Sequence, residues 1–127
     1  MDWIALRPSR EDEAPAWGWQ ALRFTPRVAR VEEAVLLEVS ASLRLFGGSE
    51  ALVRALLADG EGLSPVHWAR AATSLVALAL ARLQAAGQLP PARLPDDLPL
   101  ALLPAAAPHQ DLLARAGLVT WGQLHAL

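Results

Sequence analysis

Side chains that could perform acid–base or metal chemistry are few in this sequence, and they lie far apart. The acidic run at 11–13 (Glu-Asp-Glu) could hold a divalent ion, although such a run is also typical of a solvated loop. His67, His109 and His125 lie in three different predicted elements, so a shared metal site needs the fold to bring them together, and surface histidines are the simpler interpretation. Phosphate-binding, dinucleotide-binding and nucleophile-elbow motifs are absent. We therefore expect no cofactor and no metal.

The composition indicates one globular domain. The chain has 127 residues, 54% of them hydrophobic, and no cysteine. The longest apolar run, Leu75–Ala81, falls short of the roughly 18 residues that a membrane helix needs, and Asp2 stands where a signal peptide carries basic residues. These features favour a cytoplasmic protein. Eleven arginines against 13 acids give a net charge of −2, which lacks the basic excess of an autonomous nucleic-acid binder.

Hydrophobic periodicity predicts an α+β fold with a small antiparallel sheet of about four strands and helices on one face. Alternation indicates strands at Met1–Arg7, Phe24–Val31, Ala34–Ser42 and Val66–Ala71. In the third strand the odd positions 35–41 are apolar, which favours one covered and one partly open face. Helical spacing follows Ser49 as far as Gly60, and again from Thr73 to Gly87.

The chain divides into three predicted parts. Residues 1–87 form the α+β domain, and residues 88–107 form a proline-rich linker, because the stretch from Gln88 through Pro108 contains six prolines that break any period. Residues 108–127 are expected to form a helix pair. Pro108 suits the first turn of its first helix, Gly117 ends that helix, and Thr120 caps the second.

Three stretches carry a resemblance to a known family. The segment from Leu36 to Gly48 (LLEVSASLRLFGG), preceded by Phe24–Val28, resembles the palm of Y-family translesion DNA polymerases, and most closely the divergent ImuB-like branch. The stretch 66–83 is similar to the next palm strand and helix, and 112–124 is similar to the start of the thumb. The resemblance implies a palm-like, ferredoxin-like sheet.

The same resemblance implies a metal site, but this sequence lacks part of the set of acidic residues that the family uses there. Family members hold two divalent ions with carboxylates on the first strand and with an Asp-Glu doublet. Residues 4–7 (Ile-Ala-Leu-Arg) supply no carboxylate, and the doublet falls on Glu33 alone or, with a bulge, on Glu32 and Glu33. Glu38 is the only acid on the corresponding strand face. Fifteen residues, Pro8–Leu22, stand where the family inserts its fingers. We expect no template-directed synthesis.

These features predict a noncatalytic accessory or scaffold protein of translesion synthesis or DNA repair, connected with the SOS response. The resemblance implies protein partners: a RecA-like protein, a polymerase and a sliding clamp. Leu43, Leu45 and Phe46 resemble a clamp-docking segment, although burial at the corner of the sheet is the simpler interpretation of the same residues. Self-association is also expected, because loss of the fingers uncovers palm surface.

Two alternatives stay open. The first is weak DNA binding through the C-terminal helix pair, with Arg115, Gly117 and Thr120 as candidate contacts, since helix N-termini bind phosphate. The second is a residual metal-dependent nucleotidyltransferase. A steep salt dependence of DNA binding would identify the first, and heat on titration with Mn²⁺ and a nucleoside triphosphate would identify the second.

Overall fold

The computed structural model describes residues 1–60, 62–99, 102 and 120. Its elements confirm the α+β class. In chain order they are β1 (Trp3–Pro8), a 3₁₀ turn (Glu11–Glu13), α1 (Ala14–Ala21), β2 (Val28–Val31), β3 (Ala34–Glu38), α2 (Leu43–Phe46), α3 (Ser49–Asp59), β4 (Val66–Ala71) and α4 (Ser74–Ala85).

The four strands form one sheet in the order β2-β3-β1-β4, and every neighbouring pair is antiparallel. Ile4 of the central strand β1 lies opposite Leu37 of β3 and opposite Arg70 of β4. Helix α1 lies between β1 and β2, and helices α2 and α3 lie between β3 and β4. Each of these connections crosses over a neighbouring strand, so strands that follow one another in the chain are not all adjacent in the sheet. This is the ferredoxin-like arrangement, and it confirms the predicted four-stranded antiparallel sheet.

The larger core lies between one face of the sheet and helices α1 and α3. Alternate strand residues point into this core because side chains on a strand alternate between its faces. Trp17 of α1 and Leu56 of α3 pack there. The buried strand residues of this core are Ile4, Leu6, Val35 and Leu37.

Helix α4 covers the opposite face, so the expectation of helices on one face holds for α1 and α3 but not for α4. Ala77, Leu78 and Ala81 pack against Ala5 and Leu36 of the sheet. All five residues of β3 are buried as a result, and the predicted partly open face is closed. The reason is the composition of α4, which is apolar on almost every side and must be buried on more than one.

The outer side of α4 is covered by part of the segment predicted as a linker. Leu98 is fully buried against Ala79 and Leu83, and Leu102 packs at the edge of the same cluster. The proline-rich stretch therefore contributes to the core at this point. The predicted helix pair at 108–127 lies outside the described residues, apart from Thr120, which forms an isolated antiparallel bridge with Pro99.

The sequence prediction missed two helices, the short α2 and the longer α1. The buried residues of α1, Ala14, Trp17, Gly18 and Ala21, have helical spacing, but three of the four are alanine or glycine and give little hydrophobic signal. The second strand begins at Val28 rather than Phe24, and the third ends at Glu38 rather than Ser42. No helix in the described part of the chain combines the length and apolar character needed to cross a membrane.

Candidate functional site

Glu32 and Glu33 form the two-residue loop between β2 and β3. Val31 and Ala34 are paired across this turn, and Glu32 has a φ of 54°, in the left-handed region that non-glycine residues seldom adopt. This conformation closes the hairpin in two residues. Both acids are therefore held at one end of the sheet, beside the start of β3.

Arg82 of α4 binds both acids. Its Nη2 lies 2.8 Å from Oε2 of Glu32 and 2.6 Å from Oε1 of Glu33, and its Nε also donates to Oε1 of Glu33. Its Nη1 donates to the carbonyl oxygen of Leu102 at 2.6 Å. Arg7 of β1 completes the group, with Nε 3.7 Å from Oε2 of Glu33. We call Glu32, Glu33, Arg7 and Arg82 the acid–arginine cluster.

The cluster is balanced in charge, with two carboxylates and two guanidinium groups. The Arg82 side chain is only 11% exposed, so its charge is mostly removed from water and depends on the acids for compensation. A divalent cation at these carboxylates would have to compete with both arginines. Within the described residues, no three His, Cys, Asp or Glu side chains are placed to share a metal ion.

Glu38, the third acid of the predicted degenerate set, lies at the other end of β3. It lies five positions after Glu33 along extended chain, a distance of about 16 Å. Its side chain is buried, and its Oε1 accepts hydrogen bonds from the backbone N–H groups of Ser40 and Asp2, at 2.9 and 3.1 Å. Arg27 donates to Oε2 at 3.2 Å. The structure therefore brings Glu32 and Glu33 together but leaves Glu38 apart.

These contacts lower the pKa of Glu38 to about 2. Hydrogen bonding by the Ser40 side chain is the largest cause, and it acts with the backbone N–H groups of Ser40 and Asp2 and the charge of Arg27. Burial opposes them by raising the pKa. The carboxylate holds the residues after β3 and the start of β1 in place, which is a structural role.

The predicted clamp-docking residues divide between core and surface. Leu43 and Phe46 pack against the larger core, and the Phe46 ring contacts Phe24 with centroids 4.9 Å apart. Leu45 is 83% exposed on the outer side of α2. Leu43 and Phe46 are therefore partly buried at this corner, and Leu45 is the most exposed of the three.

The other sequence candidates are dispersed. Glu13 accepts hydrogen bonds from the backbone and hydroxyl of Ser64, so this acid supports a loop. His67 lies half-buried on β4, while His109 and His125 lie outside the described residues. Arg115 and Gly117 of the predicted DNA-binding set also lie outside them.

Arg82 and Arg7 are the site residues that sequence reasoning missed. Arg82 is the single charged residue of α4, and a lone charge in an apolar helix requires a partner once the helix is buried. That signal was present in the sequence. Its partners are 49 and 50 residues away along the chain, so the pairing itself depends on the fold.

Comparisons with protein-family models, with curated proteins and with solved structures match no family, relative or structural neighbour.

Proposed function

We propose that this chain is a noncatalytic accessory protein of translesion DNA synthesis or DNA repair, built on a palm-like sheet of the Y-family type and acting in the cytoplasm. The observation that carries the proposal is the acid–arginine cluster. Glu32 and Glu33, the acids that the family resemblance places at the metal doublet, are bound by Arg82 and Arg7.

Metal-dependent phosphoryl transfer needs carboxylates that are free to bind divalent ions. In this chain the Arg82 guanidinium supplies the positive charge between the two acids, at distances of 2.6 and 2.8 Å. Helix α4 also packs on the sheet face that carries Ala5, Ala34 and Leu36, so a nucleic-acid substrate could not lie directly on it. Both features support a palm-like fold that has been retained for a role other than catalysis.

The proposed role is to hold protein partners, namely a RecA-like protein, a polymerase and a sliding clamp. Large apolar side chains that stay exposed support binding of proteins, because such residues contribute most of the energy at interfaces. Leu45 is the candidate contact with a clamp. The net charge of −2 gives little electrostatic attraction to DNA, so DNA contact is proposed to be weak or indirect.

Surface plasmon resonance tests this proposal. The immobilised full chain is exposed in turn to the purified RecA-like protein, polymerase and clamp of the same genome. We expect at least one to bind with a dissociation constant in the micromolar range or below, and clamp binding to be lost in Leu45→Glu but kept in Arg44→Glu. Failure of all three proteins to bind would contradict the accessory role.

A further inference from the structure

A groove between helix α1 and the edge strand β2 lies apart from the acid–arginine cluster and from Leu45. Its volume is about 290 Å³, and its walls include Pro15 and Trp19 from α1, Leu22 just after α1, and Val28 and Arg30 from β2. Trp19 is 73% exposed and Leu22 is 46% exposed. An exposed tryptophan beside an apolar groove is the kind of residue that dominates binding energy at protein interfaces.

The backbone of β2 is open along this groove. Among the described strands, β2 is an edge of the sheet and pairs only with β3. The N–H of Glu38 donates to the carbonyl of Arg27 at 3.0 Å, so the backbone groups of Arg27 are directed at β3. In an antiparallel ladder, residues whose N–H and C=O groups point at the neighbouring strand alternate with residues whose groups point away from it. Val28 and Arg30 therefore present their N–H and C=O groups outward, where another strand can pair with them.

The charge at the edge of β2 indicates which kind of strand could pair with it. Arg30 makes no ion pair or side-chain hydrogen bond with any residue that the structure describes, and none of the residues that line the groove is acidic. Its register opposite Val35 places it on the same sheet face as α1 and Trp19. A second copy of β2 would bring two such arginines onto one face, where like charges repel, whereas an acidic strand would pair with Arg30.

We infer that this groove binds an extended acidic segment of a partner protein, which adds to β2 as a fifth strand. Backbone hydrogen bonds to Val28 and Arg30 supply the pairing. A carboxylate of the segment binds the Arg30 guanidinium, and an apolar side chain packs on Trp19 and Leu22. This mode of recognition takes affinity from the main chain and specificity from alternate side chains. The inference does not depend on the proposed function.

Two capped synthetic peptides test the inference, Glu-Glu-Val-Val-Glu-Glu and Lys-Lys-Val-Val-Lys-Lys. Each places a charged–apolar–charged row on either face of an extended strand. In an NMR titration of the full chain, we expect the acidic peptide to bind at least about fivefold more tightly than the basic one, since an exposed charge pair contributes modestly and the basic peptide adds repulsion. The amide signals of Val28 and Arg30 should shift most.

Three variants make the test specific. Arg30→Glu should reverse the preference between the two peptides, while Arg44→Glu, which changes the net charge equally on α2, should leave it unchanged. Arg30→Pro removes an outward N–H that β3 does not use and should abolish binding of the acidic peptide. The NMR spectrum shows whether each variant is folded.

Equal affinity for the two peptides, or shifts confined to residues outside the groove, would overturn the inference. An identical loss of binding in Arg30→Glu and Arg44→Glu would also overturn it, because the attraction would then be nonspecific. Self-association of the chain that shifts the Val28 and Arg30 amides and that the acidic peptide does not displace would identify a second copy as the occupant, contrary to the inference.

Discussion

Arg82 of helix α4 and Glu33 of the β2–β3 turn form a hydrogen-bonded ion pair of 2.6 Å across 49 residues of sequence. The pair joins the helix that covers the second face of the sheet to the hairpin that starts β3. It also engages the acid that stands where the family resemblance places a metal ligand. This one ion pair therefore bears both on the packing of α4 against the sheet and on the proposed loss of catalysis.

Removal of the Arg82 side chain should destabilise the fold. Arg82→Ala leaves Glu32 and Glu33 without their main partner and the carbonyl of Leu102 without its donor, so we expect the free energy of unfolding to fall by about 2 kcal/mol. Arg82→Lys should restore only part of this, because an ammonium group cannot reach three acceptors as a guanidinium does. Urea denaturation measures both.

The control for this prediction is Arg44→Ala. Arg44 is exposed on α2 and forms no ion pair or side-chain hydrogen bond within the part of the chain that the structure describes, so the change should stay within about 0.5 kcal/mol. Equal stability of Arg82→Ala and the unchanged chain would show that the cluster contributes nothing to the fold.

Alanine substitution should have opposite effects on stability at Gly60 and at Gly18. A Cβ atom at Gly60 would lie 2.6 Å from Cζ3 of Trp17, whose ring is buried in the larger core, so Gly60→Ala should cost roughly 2 kcal/mol. Gly18 lies inside helix α1, and a Cβ atom added there would meet nothing within 4 Å, so Gly18→Ala should stabilise the protein by up to about 1 kcal/mol. Thermal denaturation of the two variants distinguishes them, and a stable Gly60→Ala would contradict the packing of Trp17.

Glu38 should make the protein sensitive to acid. Its pKa is about 2 in the folded state, below the ordinary value of 4.5, so ionised Glu38 stabilises the fold fully above about pH 4.5. That contribution is lost as the pH falls from 4.5 towards 2. Glu38→Gln should therefore be less stable at pH 6, by roughly 2 kcal/mol, because hydrogen bonds to the charged group are weakened.

The measurement for Glu38 is urea denaturation of both proteins at several values between pH 6 and pH 2. Subtracting the two curves removes the titration of the other acids, which the variant retains. The difference in stability should shrink as the pH falls below 4.5. A difference that stays constant down to pH 2 would show that Glu38 does not have the lowered pKa.

Alanine substitutions of Phe46 and Leu45 should differ in their effect on stability. Phe46→Ala removes a ring that packs on Phe24 and the larger core, so it should cost about 2 kcal/mol. Leu45→Ala removes a side chain that is 83% exposed and should stay within about 0.5 kcal/mol. Thermal denaturation checks both, and comparable losses in the two variants would place Leu45 in the core.

The strands were predictable because half-buried strands leave a period of two in the sequence. All four were located, with errors at their ends. The position of α4 was not predictable in the same way, because a helix such as Ser74–Ala85 is apolar around most of its circumference and its sequence does not indicate which side meets the sheet. Helix α1 was missed because Ala14, Gly18 and Ala21 carry little hydrophobic signal.

The candidate site was predictable as a pair of acids but not as a cluster. The family resemblance singled out Glu32 and Glu33, and the structure places them side by side in one turn. Their partners Arg7 and Arg82 come from β1 and α4, and no local pattern links these residues to residues 32 and 33. Contacts between elements that are distant in sequence depend on strand order and helix placement, which periodicity does not determine.

Primer extension is the sharpest test of the proposal that this sheet does not catalyse nucleotide transfer. The full chain and the double variant Glu32→Gln, Glu33→Gln are incubated with a primed DNA template, the four deoxynucleoside triphosphates and Mg²⁺ or Mn²⁺. We expect no extension above the protein-free reaction for either protein. Metal-dependent extension by the unchanged chain that disappears in the double variant would contradict it.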